Sequence, residues 1–143
     1  MTASPATLVL DNEAVQALAD VQHRKHRRTL AFVEVANQRS GGRRPPLAVV
    51  VPVAVRVEAG WDRSAPQAAF LNRISRARDI ALDSRGANWA AQLRAAAGIS
   101  VVDATVGHAA EGVAAPVVVL MSDLSDMRRV AALTAPDVRV VHL

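Results

Sequence analysis

The 143-residue chain is about half apolar, contains no cysteine and carries a net charge of +4 at pH 7. These numbers predict a single folded domain over residues 1–143, and they exclude disulfides and thiolate metal sites. The N-terminus lacks the basic and apolar segments of a signal peptide, and the longest apolar stretches, 47–55 and 113–121, are too short to span a bilayer. We therefore expect a soluble, cytoplasmic protein without a membrane partner.

In the first half of the chain, apolar segments alternate with segments of helical periodicity. The continuous apolar run LAVVVP is typical of a strand buried on both faces. The stretch SGGRRPP at 40–46 breaks the regular structure. The predicted elements are, in order, strand 7–10, helix 12–20, helix 25–39, strand 47–52 and helix 53–61.

The second half continues the alternation. Its predicted elements are helix 65–77, strand 79–82, helix 85–97, an extended segment 99–102, helix 104–112, strand 115–121, helix 124–133 and strand 138–143. Small polar or acidic residues precede the helices and are expected to act as N-caps, and Gly98 is expected to end the helix at 85–97. The predicted caps are Ser64, Asp83 or Ser84, Asp103, and Ser122 or Asp123.

Short, Val-rich strands that alternate with helices predict the α/β class. The specific prediction is a three-layer α/β/α domain with a mainly parallel, five-stranded sheet. In such sheets ligands bind beyond the carboxyl ends of the strands. The residues at those positions are therefore the first candidates for function.

Five acidic residues fall at or near these positions. Asp11 ends the first strand, Asp103 follows the segment 99–102, and Asp123 follows the strand 115–121. Glu58 lies in the helix after the second strand, and Asp126 lies one helical turn beyond Asp123. Taken singly, each could be a helix cap or a solvated side chain.

As a set, however, these carboxylates would repel one another in one cleft unless a cation neutralised them. Carboxylate oxygens favour Mg²⁺ or Mn²⁺ over Zn²⁺, and such ions commonly act on phosphate groups.

The basic residues are compatible with a nucleic-acid partner. All 17 except Lys25 are arginines, and many fall in clusters at 23–28, 39–44 and 73–78. Arginine suits bidentate contacts with phosphate, so a basic rim around an acidic site could hold a nucleic-acid backbone. A solvated helix face combined with a compositional bias towards arginine explains the clusters equally well.

Four segments of the chain together resemble the PIN-domain nucleases, and among them the VapC-like toxins of bacterial toxin–antitoxin pairs. A hydrophobic strand ends in an acid (LVLDNEA), and an acid lies on the helix after strand two (VPVAVRVEAGW). A third acid opens a helix (VVDATVGHAA), and an apolar strand leads to two further acids and a basic helix (VVVLMSDLSDMRRVAAL). The resemblance covers nearly the whole chain and is carried by the order and spacing of the segments.

The resemblance implies metal-dependent hydrolysis of single-stranded RNA with water as the nucleophile and Mg²⁺ or Mn²⁺ as the cofactor. The implied partners are a cognate antitoxin, whose tail lies in a groove on the helices after strand one, and a second copy of the chain in a homodimer. The implied metal-binding and catalytic acids are Asp11, Glu58, Asp103 and Asp123, with Asp126 as an accessory metal-binding acid.

Two positions depart from the family pattern. Met121 stands where a threonine is common, so a hydroxyl group near the metal is missing unless Ser122 supplies it. Glu13 replaces the usual small residue after Asp11 and could bind the metal, face solvent or crowd the site. These departures motivate an alternative function, a catalytically weak PIN-like module that binds RNA or protein.

Two other acid-based sites are excluded by the position of Lys25. A receiver domain and an Asp-x-Asp phosphatase both need a lysine late in the chain, and Lys25 is the only lysine. His108 could line the cleft or pack in a helix interface. Trp61 could pack in the core or stack on a base.

Overall fold

The computed structural model describes residues 4–39, 46–133 and 137–143 of the chain. Most of the predicted break at 40–46 and of the basic cluster at 39–44 lies outside these ranges. The strands are β1 (Thr7–Leu10), β2 (Ala48–Pro52), β3 (Arg78–Ile80), β4 (Val117–Met121) and β5 (Val138–His142). The helices are α1 (Asn12–Ala19), α2 (His26–Arg39), α3 (Val53–Ala59), α4 (Ala69–Ser75), α5 (Ser84–Ala97), α6 (Val101–Gly112) and α7 (Leu124–Leu133), and a 3-10 turn at Pro66–Ala68 precedes α4.

The five strands form one parallel sheet in the order β3-β2-β1-β4-β5. The helices flank it in a three-layer α/β/α arrangement, which confirms the predicted fold class. β1 is the central strand and β4 lies beside it, and both are buried throughout, in keeping with their largely apolar sequences. Because Leu10 is in register with Leu120, the residues that follow both strands emerge at the same edge of the sheet.

Helix α6 differs from its prediction in a way that matters for the site. The segment 99–102 is not an independent extended element, because α6 already begins at Val101. The N-cap is Ser100, whose hydroxyl oxygen accepts a hydrogen bond from the Asp103 N–H at 3.0 Å. The prediction that Asp103 caps this helix is therefore wrong. Its carboxyl group lies in the first turn and is available for other contacts.

The predicted Ser64 cap is also wrong. The N–H and hydroxyl groups of Ser64 both donate to the Asp62 carboxylate, at 2.9 and 2.6 Å, and the helical segment opens instead as a 3-10 turn. Asp83, rather than Ser84, caps α5 by accepting from the Gly86 N–H at 2.7 Å. Gly98 ends α5 in the left-handed conformation with φ of 65°, as predicted.

The close packing of α5 against α6 depends on glycine at position 86. A Cβ atom there would lie 2.5 Å from Nε2 of His108, whose ring also stacks against Trp89 at 5.5 Å. We expect Gly86→Ala to lower the free energy of unfolding by about 1 kcal/mol, since the clash outweighs the gain in helix propensity. Gly112→Ala, also in a helix but with open space around the new methyl group, should instead raise it by up to about 1 kcal/mol. Urea denaturation of both variants checks the difference, and an equal gain in both would refute the packing explanation.

Candidate functional site

Asp11 lies at the carboxyl end of β1 and is both a helix cap and a buried acid. Only 7 % of the residue is exposed. Its carboxylate accepts a hydrogen bond from the Ala14 N–H at 2.8 Å, which caps α1, and another from the backbone of Ser122 beyond β4. Asp11 is therefore a helix cap, and its carboxyl group is not solvated. The neighbouring strands β1 and β4 hold the carboxyl group between them.

Burial raises the pKa of Asp11 to about 7, because the charged form loses the hydration that it has in water. The nearby carboxylate of Glu13 raises the pKa further. The two backbone hydrogen bonds and the ammonium group of Lys25 act in the opposite direction but do not cancel the effect of burial. Asp11 is therefore an acid that gives up its proton near neutral pH.

Asp103 and Asp126 bring two more carboxyl groups to this edge of the sheet. Burial raises the pKa of Asp103 to about 7, and a hydrogen bond to the Asp126 side chain together with the charge of Asp126 adds to this shift. The charge of Asp11 contributes in the same direction, which places both Asp11 and Asp126 within electrostatic reach of Asp103. Acids from β1, α6 and α7 thus converge, although more than 90 residues separate the first from the second in the sequence.

Glu58 and Asp123, the other two predicted site acids, lie at the margin of this cluster. Glu58 is exposed on α3, and its carboxylate accepts a hydrogen bond from the side-chain amide of Asn12 at 3.0 Å, next to Asp11. Asp123 is exposed and caps α7 by accepting from the Asp126 N–H at 3.0 Å. Within 4–39, 46–133 and 137–143, no group of three or more His, Asp or Glu side chains is arranged to hold a metal ion. The metal ligand set stays a prediction.

The fold of the chain is similar to that of two solved structures. No protein-family model matches the sequence, and no curated protein matches it. VapBC2 from Rickettsia felis, in a structure of the proteins bound to a DNA fragment from their promoter, aligns with a TM-score of 0.62 over 96 % of this chain and 98 % of that chain, at 12 % identity. PAE2754 from Pyrobaculum aerophilum aligns with a TM-score of 0.55 over 95 % and 91 %, at 16 % identity. The chain has a PIN-like fold.

Within this PIN-like fold, Glu13 forms ion pairs. Its carboxylate lies 3.3 Å from Nζ of Lys25 and 3.5 Å from Nε2 of His23, and its side chain is 31 % exposed. Both partners belong to the basic cluster at 23–28, for which the sequence suggested either a polyanion partner or solvent. The sequence offered no signal for these pairs, because the turn between α1 and α2 brings the partners together.

Replacing Glu13 should change the acidity of its neighbour. We expect Glu13→Gln to lower the pKa of Asp11, because it removes a negative charge and frees Lys25 to act on Asp11. A carbon-detected NMR titration of the Asp11 carboxyl group, with Glu34→Gln on the exposed side of α2 as the control, measures the shift. An unchanged or higher pKa of Asp11 would contradict this account of the electrostatics.

Met121 is a core residue and does not face the site as a functional group. It is 1 % exposed at the end of β4. The following residue, Ser122, reaches Asp11 through its backbone, and its carbonyl group accepts a hydrogen bond from Nε2 of His142 at 2.9 Å. Met121 therefore packs in the core, and the backbone of Ser122 forms a hydrogen bond with the Asp11 carboxylate.

The remaining candidates have mainly structural roles. His108 packs half-buried against Trp89. Trp61 is buried, donates from Nε1 to Asn72 at 2.8 Å and is covered by the guanidinium group of Arg63 at 4.4 Å, so its ring faces are not open to a base. Arg129, which sequence reasoning did not single out, lies 3.8 Å from Asp126 with its side chain half exposed. It is a cation at the margin of the acidic cluster.

Proposed function

We propose that the protein is a metal-dependent endoribonuclease that hydrolyses the phosphodiester bonds of single-stranded RNA. The observation that carries the proposal is the convergence of Asp11, Asp103 and Asp126, with the pKa values of Asp11 and Asp103 raised to about 7. Asp11 is buried, and Asp103 and Asp126 are half-buried. Neighbouring acids that are withdrawn from water destabilise a free protein, and acids with raised pKa values are concentrated at functional sites. The PIN-like fold, whose strand edge carries these acids, supports the same conclusion.

The donor set fits a hard divalent cation in its chemistry. Asp11, Asp103 and Asp126 would hold the ion, with Glu58 and Asp123 as the further acids that the family resemblance implies. All five offer oxygen donors only, which favours Mg²⁺ or Mn²⁺. When bound, the ion would neutralise the clustered charge and supply the Lewis acidity and activated water that phosphodiester hydrolysis needs.

The chain itself positions these groups in the absence of an ion. The Ala14 and Ser122 backbones fix the orientation of the Asp11 carboxylate. The Ser100 hydroxyl donates to Asp103, which favours its charged form. Arg129 can contact a phosphate group next to Asp126, and the net charge of +4 attracts a polyanion.

A cleavage assay with purified protein tests the proposal. We expect a single-stranded RNA oligonucleotide to be cut internally when Mg²⁺ or Mn²⁺ is present and to stay intact when a chelator is added. The same strand in a stable duplex should be cut more slowly. Cleavage that persists in excess chelator would rule out the metal-dependent mechanism.

The alternative function is a PIN-like module that binds RNA or protein with little catalysis. It is favoured by the cap role of Asp123 and by the finding that, in the described part of the chain, no three His, Asp or Glu side chains are arranged to hold a metal ion. Calorimetric titration discriminates between the two functions. Binding of Mn²⁺ supports the nuclease, whereas intact RNA affinity without metal binding at millimolar concentration supports the module.

The proposed biological setting is the cytoplasm, where the chain would act as the toxin of a toxin–antitoxin pair and as a homodimer. The structural relative VapBC2 was solved bound to a DNA fragment from its promoter. Among the described helices, none has the length and apolar character needed to cross a membrane. Growth arrest on expression of the chain alone, relieved by a protein encoded beside it, would support this setting.

A further inference from the structure

Lys25 brings a positive charge to the acidic cluster from the turn between α1 and α2. Its Nζ atom lies 3.3 Å from Oε1 of Glu13 in the first turn of α1, and its charge acts on the Asp11 carboxyl group. The side chain of Lys25 is only 17 % exposed, although this is the only lysine of a chain rich in arginine. Lys25 thus provides a cation at the Asp11 end of α1, as Arg129 does beside Asp126.

The turn fixes the backbone of Lys25. The Lys25 N–H donates to Nδ1 of His23 at 3.1 Å, and the Lys25 carbonyl group accepts from the N–H and the hydroxyl group of Thr29, at 3.0 and 2.9 Å. The ring of the adjacent His26 is buried and contacts the Ala17 carbonyl oxygen through Nδ1 at 2.7 Å, which ties the turn to α1. Hydrogen bonds on both sides of Lys25 therefore hold it against α1, so its position does not depend on the side chain alone.

The Glu13 carboxylate is already engaged by the chain itself. Besides Lys25, it faces Nε2 of His23 at 3.5 Å. Because Nδ1 of His23 accepts the Lys25 N–H, the hydrogen of this ring is on Nε2, the atom that faces Glu13. Two donors of the protein therefore surround Glu13, which favours a role in holding Lys25 over a role as a metal ligand.

The ammonium group of Lys25 has donors left for a substrate. It carries three N–H groups, and within the described chain Glu13 is the only carboxylate at ion-pair distance from it. Negative charge develops on the phosphate oxygens as water attacks, and a cation fixed beside them stabilises that state more than the bound substrate. Loss of one such donor from an enzyme lowers the rate by about 100- to 1000-fold.

We propose that Lys25 contacts the phosphate group under attack and that Glu13 holds it there. This inference rests on the proposed nuclease function, and it gives the departure from the family pattern at position 13 a purpose. Lys25 forms and breaks no covalent bond. Its ammonium group donates hydrogen bonds to the non-bridging phosphate oxygens and offsets their charge. Without Glu13, the same group would pair with Asp11 and compete with the metal ion for that carboxylate.

Cleavage rate and metal affinity, measured separately, test the role of Lys25. Single-turnover cleavage of a fluorescent single-stranded RNA at saturating RNA and Mn²⁺ gives the rate, and calorimetric titration with Mn²⁺ alone gives the affinity. We expect Lys25→Gln to lower the rate at least about tenfold and to bind Mn²⁺ at least as tightly as wild type, because a positive charge near the acids is gone. Lys25→Arg should recover part of the rate. Arg85→Gln, which removes an exposed cation at the start of α5, is the charge-matched control and should equal wild type in both measurements.

Variants of Glu13 separate the two members of the pair. We expect Glu13→Gln to cleave more slowly and to bind Mn²⁺ more weakly than wild type, because Lys25 then pairs with Asp11. The double variant Glu13→Gln/Lys25→Gln should regain the affinity for Mn²⁺ but should cleave as slowly as Lys25→Gln. If Lys25 only neutralised Glu13, the double variant would cleave at the wild-type rate, and that result would overturn the proposal.

RNA affinity without metal gives a readout that does not depend on catalysis. In a chelator, fluorescence anisotropy should show that Lys25→Gln binds the RNA more weakly than wild type. The slope of the logarithm of its affinity against that of the salt concentration should be smaller by about 0.7, the value for one phosphate contact to a single strand. An unchanged slope, weaker Mn²⁺ binding by Lys25→Gln or its cleavage at the wild-type rate would overturn the proposal and leave the nuclease standing. Absence of cleavage by wild type would refute both.

Discussion

Asp11→Asn should lower the rate of RNA cleavage at least about a hundredfold. Removing a residue that only hydrogen-bonds to a metal ligand already reduces metal affinity or activity by about 10- to 100-fold, and loss of a ligand should cost at least as much. The substitution removes the negative charge but keeps the shape of the side chain. Asparagine is also a good N-cap, so the hydrogen bond from the Ala14 N–H can be retained. The loss should therefore reflect chemistry rather than unfolding. It is measured as single-turnover cleavage of a fluorescent RNA at saturating Mn²⁺.

Asp83→Asn is a closely matched control. Asp83 caps α5 with nearly the same backbone angles as Asp11, φ of −88° against −87°, and accepts the same kind of hydrogen bond from Gly86. It is exposed and outside the acidic cluster, so its variant should cleave RNA at the wild-type rate. Asp103→Asn should behave like Asp11→Asn. Full activity in either site variant would exclude the proposed mechanism.

Asp11→Asn should also stabilise the metal-free protein at alkaline pH. The pKa of Asp11 is about 7 in the folded chain, against an ordinary value of 3.8. Between these values the unfolded chain has lost the proton and the folded chain still holds it. The free energy of unfolding therefore falls as pH rises through this window, and the loss is complete above pH 7. Asp11→Asn does not show this decrease, because asparagine has no carboxyl proton to lose.

We expect the free energy of unfolding of Asp11→Asn to exceed that of wild type by roughly 1 to 3 kcal/mol at pH 8. The upper limit is about 4 kcal/mol, because each unit of the pKa shift corresponds to about 1.4 kcal/mol. The gain should vanish near pH 4, where the wild-type carboxyl group is largely protonated even in the unfolded chain. Urea denaturation across this pH range, in the presence of a chelator, measures it. A gain that is equal at both pH values would show that charge burial is not its cause.

A divalent metal ion should make wild type more stable than Asp11→Asn, the reverse of their order in the presence of a chelator. An ion that binds only the folded state raises the free energy of unfolding by an amount that grows with the logarithm of its concentration once that concentration exceeds the dissociation constant. Millimolar Mn²⁺ at pH 8 should therefore raise the melting temperature of wild type, and much less that of Asp11→Asn. Equal shifts in the two proteins would place the metal elsewhere.

The local elements and the position of Asp11 were accessible from the sequence alone. Continuous apolar runs such as LAVVVP are typical of strands buried on both faces, and helical spacing marks the segments between them. The carboxyl end of a parallel strand is where ligands bind, so the place of Asp11 directly after an apolar run is enough to single it out. These features depend on short stretches of chain, whose pattern is complete in the sequence.

Tertiary structure decided which acids meet and what state they are in. The pairing of Asp103 with Asp126, the assignment of the α6 cap to Ser100 and the ion pairs of Glu13 all depend on how the chain packs. Desolvation and Coulomb interaction depend on distance in space and on burial, and sequence spacing encodes neither. The same holds for Lys25, which in the sequence was one member of a basic cluster. The turn between α1 and α2 is what brings its ammonium group to Glu13 and Asp11.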